Sequence, residues 1–185
     1  MLSYNWPVKA RIFLNRCLYY SKSIEGYIVT YSHDHSACIE DAITKAEKIC
    51  TERGSRFTSL RRQILEMVWQ GHTAVKAYDL LDQLAKRGGS AKPPTVYRAL
   101  DFLMEEGLVH KIESLNAYVG CIHPEDTHIS QFLICDKCET VQEVTSPPLD
   151  QAVLGAAESA SFTIDRQTLE LHGLCSGCKT SEQAA

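Results

Sequence analysis

The 185-residue chain has no apolar run approaching the roughly 18 residues that a membrane-spanning helix needs. It shows no secretory signal, because Lys9, Arg11 and Arg16 interrupt the early apolar residues. It has no low-complexity tract and no internal repeat, and the first acid is Glu25. Residues 1–24 are thus basic, a loose likeness to a transit peptide. The preferred expectation is that residues 1–36 form an N-terminal extension, disordered or translated from upstream of the native start. No membrane partner is expected. The large basic excess of many nucleic-acid binders is also missing, since the net charge is −4. Its distribution is uneven, however. Lys/Arg against Asp/Glu count 7 and 6 over residues 1–54, 9 and 7 over 55–113, and 3 and 10 over 114–185. A mildly basic middle and an acidic end suggest a division of labour between two small domains.

What is abundant is cysteine. Eight cysteines without a secretory signal point to a reduced, cytoplasmic setting with bound metal rather than to a disulfide framework. Four of them form two C-x-x-C pairs, Cys135–Cys138 and Cys175–Cys178. Each pair can turn two thiolates toward one ion, and two pairs complete a closed tetrahedral zinc shell. With no open coordination position, such a site is structural, and the chain is not expected to be an enzyme. The competing reading is two disulfides or a redox C-x-x-C.

From Cys38 the period is helical. Ile39, Ala42, Ile43, Ala46, Ile49 and Cys50 share a face, and Gly54 ends that helix. A second helix follows Thr58, and a third spans about Tyr78 to Lys86. A fourth starts near Thr95, after Pro93-Pro94, and runs to about Glu106. Leu108–Ile112 and Ala117–Cys121 then read as a β-hairpin. Three helices, a fourth after a proline turn, and a hairpin wing make the order of a winged helix, here over residues 37–121. The fourth helix would be the one that enters the major groove. Residues 122–127 read as a hinge. Residues 128–180 mix strands near 129–134, 140–144 and 162–171 with a helix near 149–159. The fold class is therefore α+β, an N-terminal winged helix followed by a small α/β domain holding a structural zinc.

A second set of ligand-type residues flanks the hinge: His110, Cys121, His128 and Glu143. One thiolate, two imidazoles and a carboxylate can make a tetrahedral zinc set. Each also has a bland reading: a solvent-facing His110, a small buried Cys121, a linker His128, an exposed Glu143. His123 and His172 could compete as ligands.

Arg56-Phe-Thr58, Tyr78-Asp-Leu-Leu81, Lys92-Pro-Pro-Thr-Val-Tyr-Arg-Ala-Leu100, Gly107-Leu-Val-His-Lys111 and the two C-x-x-C pairs together resemble the ferric uptake regulator family, from about Cys38 to Cys178. Within it the chain is similar to the zinc uptake branch. Iron sensors carry an H-H-x-H run before the first C-x-x-C, and here only His128 remains, while Cys121 adds a soft ligand. The resemblance implies a regulatory zinc at His110, Cys121, His128 and Glu143 and a structural zinc at the four cysteines. It also implies a homodimer that binds an AT-rich inverted repeat in double-stranded DNA, with zinc as corepressor. Arg98 would bond a guanine edge and Tyr97 a thymine methyl or a phosphate, the alternative for both being phosphate contact only. Arg56, Arg61, Lys92 and Thr95 would hold phosphates. Where the family has Thr-Pro-Gln-Arg, this chain has Thr58-Ser-Leu-Arg61.

Other readings remain open at this point. One is an iron or peroxide sensor of the same family. Another is a zinc-stapled interaction module with no DNA role. A third, a nucleobase deaminase, would need a proline before Cys135, where Ile134 stands.

Overall fold

In this computed structural model, which describes residues 20–23, 26–29, 35–71, 73–88, 92–126, 128–165 and 167–183, a short antiparallel pair precedes four helices. The pair is β1 (Tyr20–Ser23) and β2 (Gly26–Val29). It falls inside the 1–36 extension, most of which lies outside the described residues. Helix α1 (His35–Glu52) buries Ala42, Ile43, Ala46, Ile49 and Cys50 of the anticipated stripe, while Ile39 is only partly buried and Cys38, outside that stripe, is buried as well. Cys38 is disulfide-bonded, an exception to the all-reduced expectation. Cys50, Cys121 and the four C-x-x-C residues are not disulfide-bonded.

Gly54 follows α1 at φ +66°, a left-handed conformation that closes a helix without Cβ strain. The side chain of Thr58 caps α2 (Ser59–Val68) by accepting from the Arg61 N–H, a contact worth about 1 kcal/mol. Helix α3 (Ala77–Lys86) packs Leu80 and Leu84 inward. Helix α4 (Pro93–Glu105) begins two residues before the position read from sequence. Pro93 and Pro94 occupy its first turn, where a missing N–H removes no helical bond. Val96, Leu100 and Leu103 of α4 are fully buried against α2 and α3.

The wing follows as β3 (Val109–Ile112) and β4 (Ala117–Gly120), paired antiparallel with Val109 opposite Gly120. Val75 and Tyr118 exchange both backbone hydrogen bonds at 2.8 and 2.9 Å, tying the wing to the α2–α3 connection. Gly120 lies hard against Trp69, and a Cβ there would sit 2.2 Å from the indole. Gly120→Ala is therefore expected to displace a rigid ring and to cost about 1–3 kcal/mol. A thermal melt should show the midpoint falling by several degrees; an unchanged midpoint would contradict the packing described.

No strand or helix lies between Gly120 and Gln131 among the described residues, consistent with a connecting segment around 122–127. The second half holds β5 (Gln131–Cys135), β6 (Val141–Val144), α5 (Pro147–Ser159), β7 (Leu169–Gly173) and α6 (Ser176–Gln183). The sheet order is β6-β5-β7, antiparallel on one side and parallel on the other. The expected strand over 162–171 is shorter, because the chain first closes α5. Ser161 is left-handed (φ 54°), and the Phe162 N–H bonds back to the Ala157 carbonyl at 2.9 Å, the Schellman pattern. Helix α6, winding out of the second C-x-x-C, was not anticipated.

Two cores result. The larger is built from α1–α4 and the inner side of the wing. The smaller joins the halves: Ile112 and Val119 of the wing pack with Phe132, Ile134 and Val141 of the sheet. Alternation along β5 sends Leu133 to the other face, where it stands beside Leu171 of β7 in register. Both are exposed, as are Leu154 and Phe162, the latter 68% exposed. No residue of α5 is buried.

Candidate metal centres and nucleic-acid interface

Strand β5 delivers Cys135 to a tight turn that returns Cys138, and β7 runs beside β5 so that Cys135 pairs with Gly173. The second C-x-x-C therefore arrives next to the first. The ligand atoms of Cys135, Cys138, Cys175 and Cys178 all lie within 4.8 Å of one another. A zinc ion with bonds of about 2.3 Å separates tetrahedral sulfurs by about 3.8 Å, and Cys138 Sγ lies 3.7 Å from Cys175 Sγ. The turn also supplies hydrogen bonds to sulfur. The Cys175 N–H donates to Cys135 Sγ at 3.3 Å. That bond, with further backbone N–H groups of the turn, lowers the Cys135 thiol to about 6. Thr140 Oγ1 lies 3.2 Å from Cys138 Sγ and, with its N–H, lowers that thiol too. Burial and the neighbouring sulfurs instead push Cys178 up to about 12. A set that mixes low and high thiols suits a divalent cation, which replaces the remaining protons.

The second cluster joins the wing to the sheet domain. His110 comes from β3 and Cys121 from the residue after β4. His128 precedes β5, and Glu143 lies in β6. Their ligand atoms also fall within 4.8 Å of one another. Glu143 Oε1 is the hub, 2.8 Å from His128 Nε2 and 3.1 Å from His110 Nε2. Cys121 Sγ lies 3.6 Å from His128 Nε2, the edge of about 3.6 Å expected for a tetrahedral N/S pair on zinc. The donor set of two nitrogens, one sulfur and one oxygen fits that ion.

Outer contacts orient these ligands. His128 Nδ1 lies 2.9 Å from the Asp126 carbonyl, which leaves Nε2 facing the cluster. The Ile122 N–H donates to Glu143 Oε2 at 3.0 Å, and Ser130 Oγ donates to Oε1 at 2.6 Å. Burial opposes ionisation of Glu143, but hydrogen bonding and charge from His110, with Ser130 and Ile122, overcome it and lower the carboxyl to about 2. Burial, then the charge of Glu143, drives the Cys121 thiol far above its ordinary value. Desolvation works against charged His128, yet the Asp126 carbonyl and Glu143 outweigh it and raise its pKa. The cluster is thus a buried anion ringed by protons that a cation can displace.

All eight ligand residues singled out in the sequence fall into these two clusters, in the groups expected. His123 and His172 belong to neither. His172 Nδ1 instead meets Asp136 Oδ1 at 2.9 Å. His123 begins a His-x-Glu run, His123-Pro-Glu125, of the kind a deaminase uses, but Glu125 pairs with Lys45 at 3.7 Å. Sequence reading missed Ser130. Alternation from His128 would have put it on the same side.

The nucleic-acid candidates separate by exposure. Lys92, Thr95, Tyr97 and Arg98 are exposed on the N-terminal part of α4, and Arg56 is exposed before α2. Arg61 is different. Its guanidinium stacks on the Phe102 ring at 3.4 Å and donates to the Arg56 carbonyl. Leu60, where the family has glutamine, packs against the larger core.

No helix among the described residues is long and apolar enough to cross a membrane. The pattern of the ferric uptake regulator family matches residues 52–172. The zinc uptake regulation protein of Escherichia coli K12 is 42% identical over 140 residues, covering 75% of this chain and 82% of that protein. A Mycobacterium tuberculosis protein of the same description is 28% identical over 130 residues, covering 69% and 97%. Among solved structures, a zinc uptake regulator complexed with zinc and DNA superposes with a TM-score of 0.75 at 41% identity, covering 78% of this chain and 97% of that one. A holo regulator of the same kind, XcZur, gives 0.70 at 41% identity, covering 77% and 99%. The chain belongs to the ferric uptake regulator family.

Proposed function

We propose that this chain is a zinc-responsive transcriptional repressor. It binds operator DNA as a dimer with zinc as corepressor and controls zinc-uptake genes. The observation that carries this reading is the mixed cluster of His110, Cys121, His128 and Glu143, drawn from both sides of the hinge. The 42% identity to a zinc uptake regulation protein supports it. The buried thiol favours zinc over iron, which weighs against an iron or peroxide sensor.

Each subunit holds two ions, one structural at the four cysteines and one regulatory at the mixed cluster. A bound zinc supplies four directed bonds and no reaction. His110 and Cys121 belong to the wing, whereas His128 and Glu143 belong to the sheet domain. Held on one ion, they fix the angle between the halves, and dimers competent for DNA become the main population. By linkage, operator DNA must tighten zinc binding by the same factor.

The dimer forms through exposed apolar side chains of the sheet domain: Leu133 and Leu171, side by side on the sheet, with Leu154 of the unburied α5 and Phe162 after it. The operator is an AT-rich inverted repeat. Arg98 bonds a guanine edge and Tyr97 a thymine methyl or a phosphate, while Lys92, Thr95 and Arg56 hold phosphates. Arg61 acts mainly by orienting the Arg56 segment. Such a protein works in the cytoplasm, where the thiols of its two metal clusters stay reduced.

The test is operator binding titrated against free zinc, iron and manganese, with metal content measured alongside. Zinc alone should drive binding at low free concentration. Arg98→Ala should then weaken operator binding by about 1–3 kcal/mol and relax preference at one base pair, with zinc content unchanged. Equal response to iron would overturn the zinc reading, and no binding to any inverted-repeat promoter would overturn the repressor reading.

A further inference from the structure

The two halves meet at a second place, the tip of the wing. The turn from Glu113 to Asn116 joins β3 and β4. There the Glu170 carboxylate of β7 accepts from two successive backbone N–H groups, Glu113 to Oε1 at 2.7 Å and Ser114 to Oε2 at 3.1 Å. His172, two residues further along the strand and so on the same face, places Nε2 3.1 Å from Ser114 Oγ. Its Nδ1 meets Asp136, which lies between Cys135 and Cys138. A chain of contacts therefore runs from the four-cysteine turn through His172 and Glu170 to the wing tip. None of these residues is a metal ligand.

From this geometry we infer that Glu170 is a positioning residue for DNA binding, which pins the wing tip to the sheet domain while the mixed cluster pins the wing base. One pin leaves a body free to swing about it. Glu113 lies three residues beyond His110, about 10 Å along an extended strand, and a second pin at that distance removes most of the swing. A carboxylate suits the task, because each oxygen takes one N–H of the turn and charge assists both bonds. The occupied tip is also unavailable to DNA phosphates, so recognition rests on α4 and the segment before α2. This inference depends on the proposed zinc-dependent DNA binding and adds a residue to it.

The test uses the full-length, zinc-loaded dimer. Zinc affinity of the mixed cluster and operator affinity at saturating zinc are measured for wild type, Glu170→Ala, Glu170→Gln and His172→Ala. The expected pattern is zinc affinity within about twofold of wild type and operator affinity about tenfold weaker for Glu170→Ala. Glu170→Gln keeps one carbonyl oxygen and should recover part of the loss. His172→Ala changes an exposed side chain and should cost about threefold. Operator affinity of Glu170→Ala within twofold of wild type would overturn the inference. So would a parallel fall in zinc affinity, which would mark Glu170 as merely structural. If Glu170→Ala does not fold, the other two variants decide by the same criteria. A wild type that shows no zinc-dependent operator binding would defeat the functional reading itself, a result distinct from a failure of the clamp.

Discussion

A Cys121→Ser protein is expected to dimerise, to keep the zinc of the four-cysteine site, and to bind operator DNA no better with added zinc than without it. Cys121 is 2% exposed and contributes the only sulfur of the mixed cluster. Serine fills nearly the same space, so the fold should survive. A buried hydroxyl does not ionise as a thiol does, and the cluster would keep only two nitrogens and one carboxylate. Loss of an outer-shell partner already weakens metal binding by about 10–100-fold, so loss of a direct ligand should exceed about 100-fold. The allosteric gain disappears with it, a coupling of about 1–3 kcal/mol in systems of this kind. Zinc-dependent fluorescence anisotropy on operator DNA, with sedimentation to confirm the dimer, reads both quantities. Wild-type zinc response in this variant would sink the sensing assignment. The same variant leaves Glu143, His110 and His128 in hydrogen-bonded contact, so a cluster that still closes without metal would appear as zinc-independent DNA binding.

The second large effect lies at the four cysteines. Cys138→Ser is expected to lose that zinc and, with it, the dimer. The sheet domain has little else to hold it: its buried apolar side chains are few, and two in its core come from the wing. Structural zinc contributes about 10–16 kcal/mol in small finger domains, against a total stability of about 5–15 kcal/mol for a whole domain. Without the ion, β7 and α6 lose the tie to the β5 turn, and the face carrying Leu133 and Leu171 loses its flatness. Sedimentation at micromolar protein should show monomer, and far-ultraviolet dichroism should keep the signal of α1–α4. A stable dimer lacking this zinc would show that hydrophobic burial between subunits suffices. The two variants differ in outcome: one breaks response within an intact dimer, and the other breaks the dimer.

Much of this was legible in the sequence because local chemistry decided it. The apolar stripes of α1–α4 have one solution, a helical core, and the paired C-x-x-C motifs converge in one cluster. The membership of the mixed cluster was harder. Four unremarkable residues come together only in the folded chain; their donor types suggested the set, each with a bland alternative, and the family resemblance strengthened it. What escaped depended mostly on contacts between elements distant in the sequence. Glu170 reads as one more surface acid until β7 is laid beside β5 and the wing tip above it. Arg61 reads as a phosphate contact until Phe102 is seen beneath it. The sequence places the start of α4 two residues late, because Pro93 and Pro94 read as a preceding turn when they form the first turn of the helix. The abrupt end of α5 rests on the left-handed Ser161, a choice that tertiary context makes for a residue with little preference of its own.

The parallel pairing of β5 with β7 carries a consequence for synthesis. Strand β5 cannot be flanked on that side until some three dozen further residues have been made, since Gln131 pairs with Leu169, and closing a loop of that size is slow compared with winding neighbouring helices. The larger core, by contrast, is complete once Tyr118 has emerged. A nascent chain therefore completes α4 early and its last two thiolates late. During that interval it can present α4 and, once Glu143 is made, the mixed cluster, yet it lacks the four-cysteine tie that the proposed dimer needs, so on that reading the order of residues along the chain keeps an unfinished polypeptide a weak, single-headed ligand for the genome.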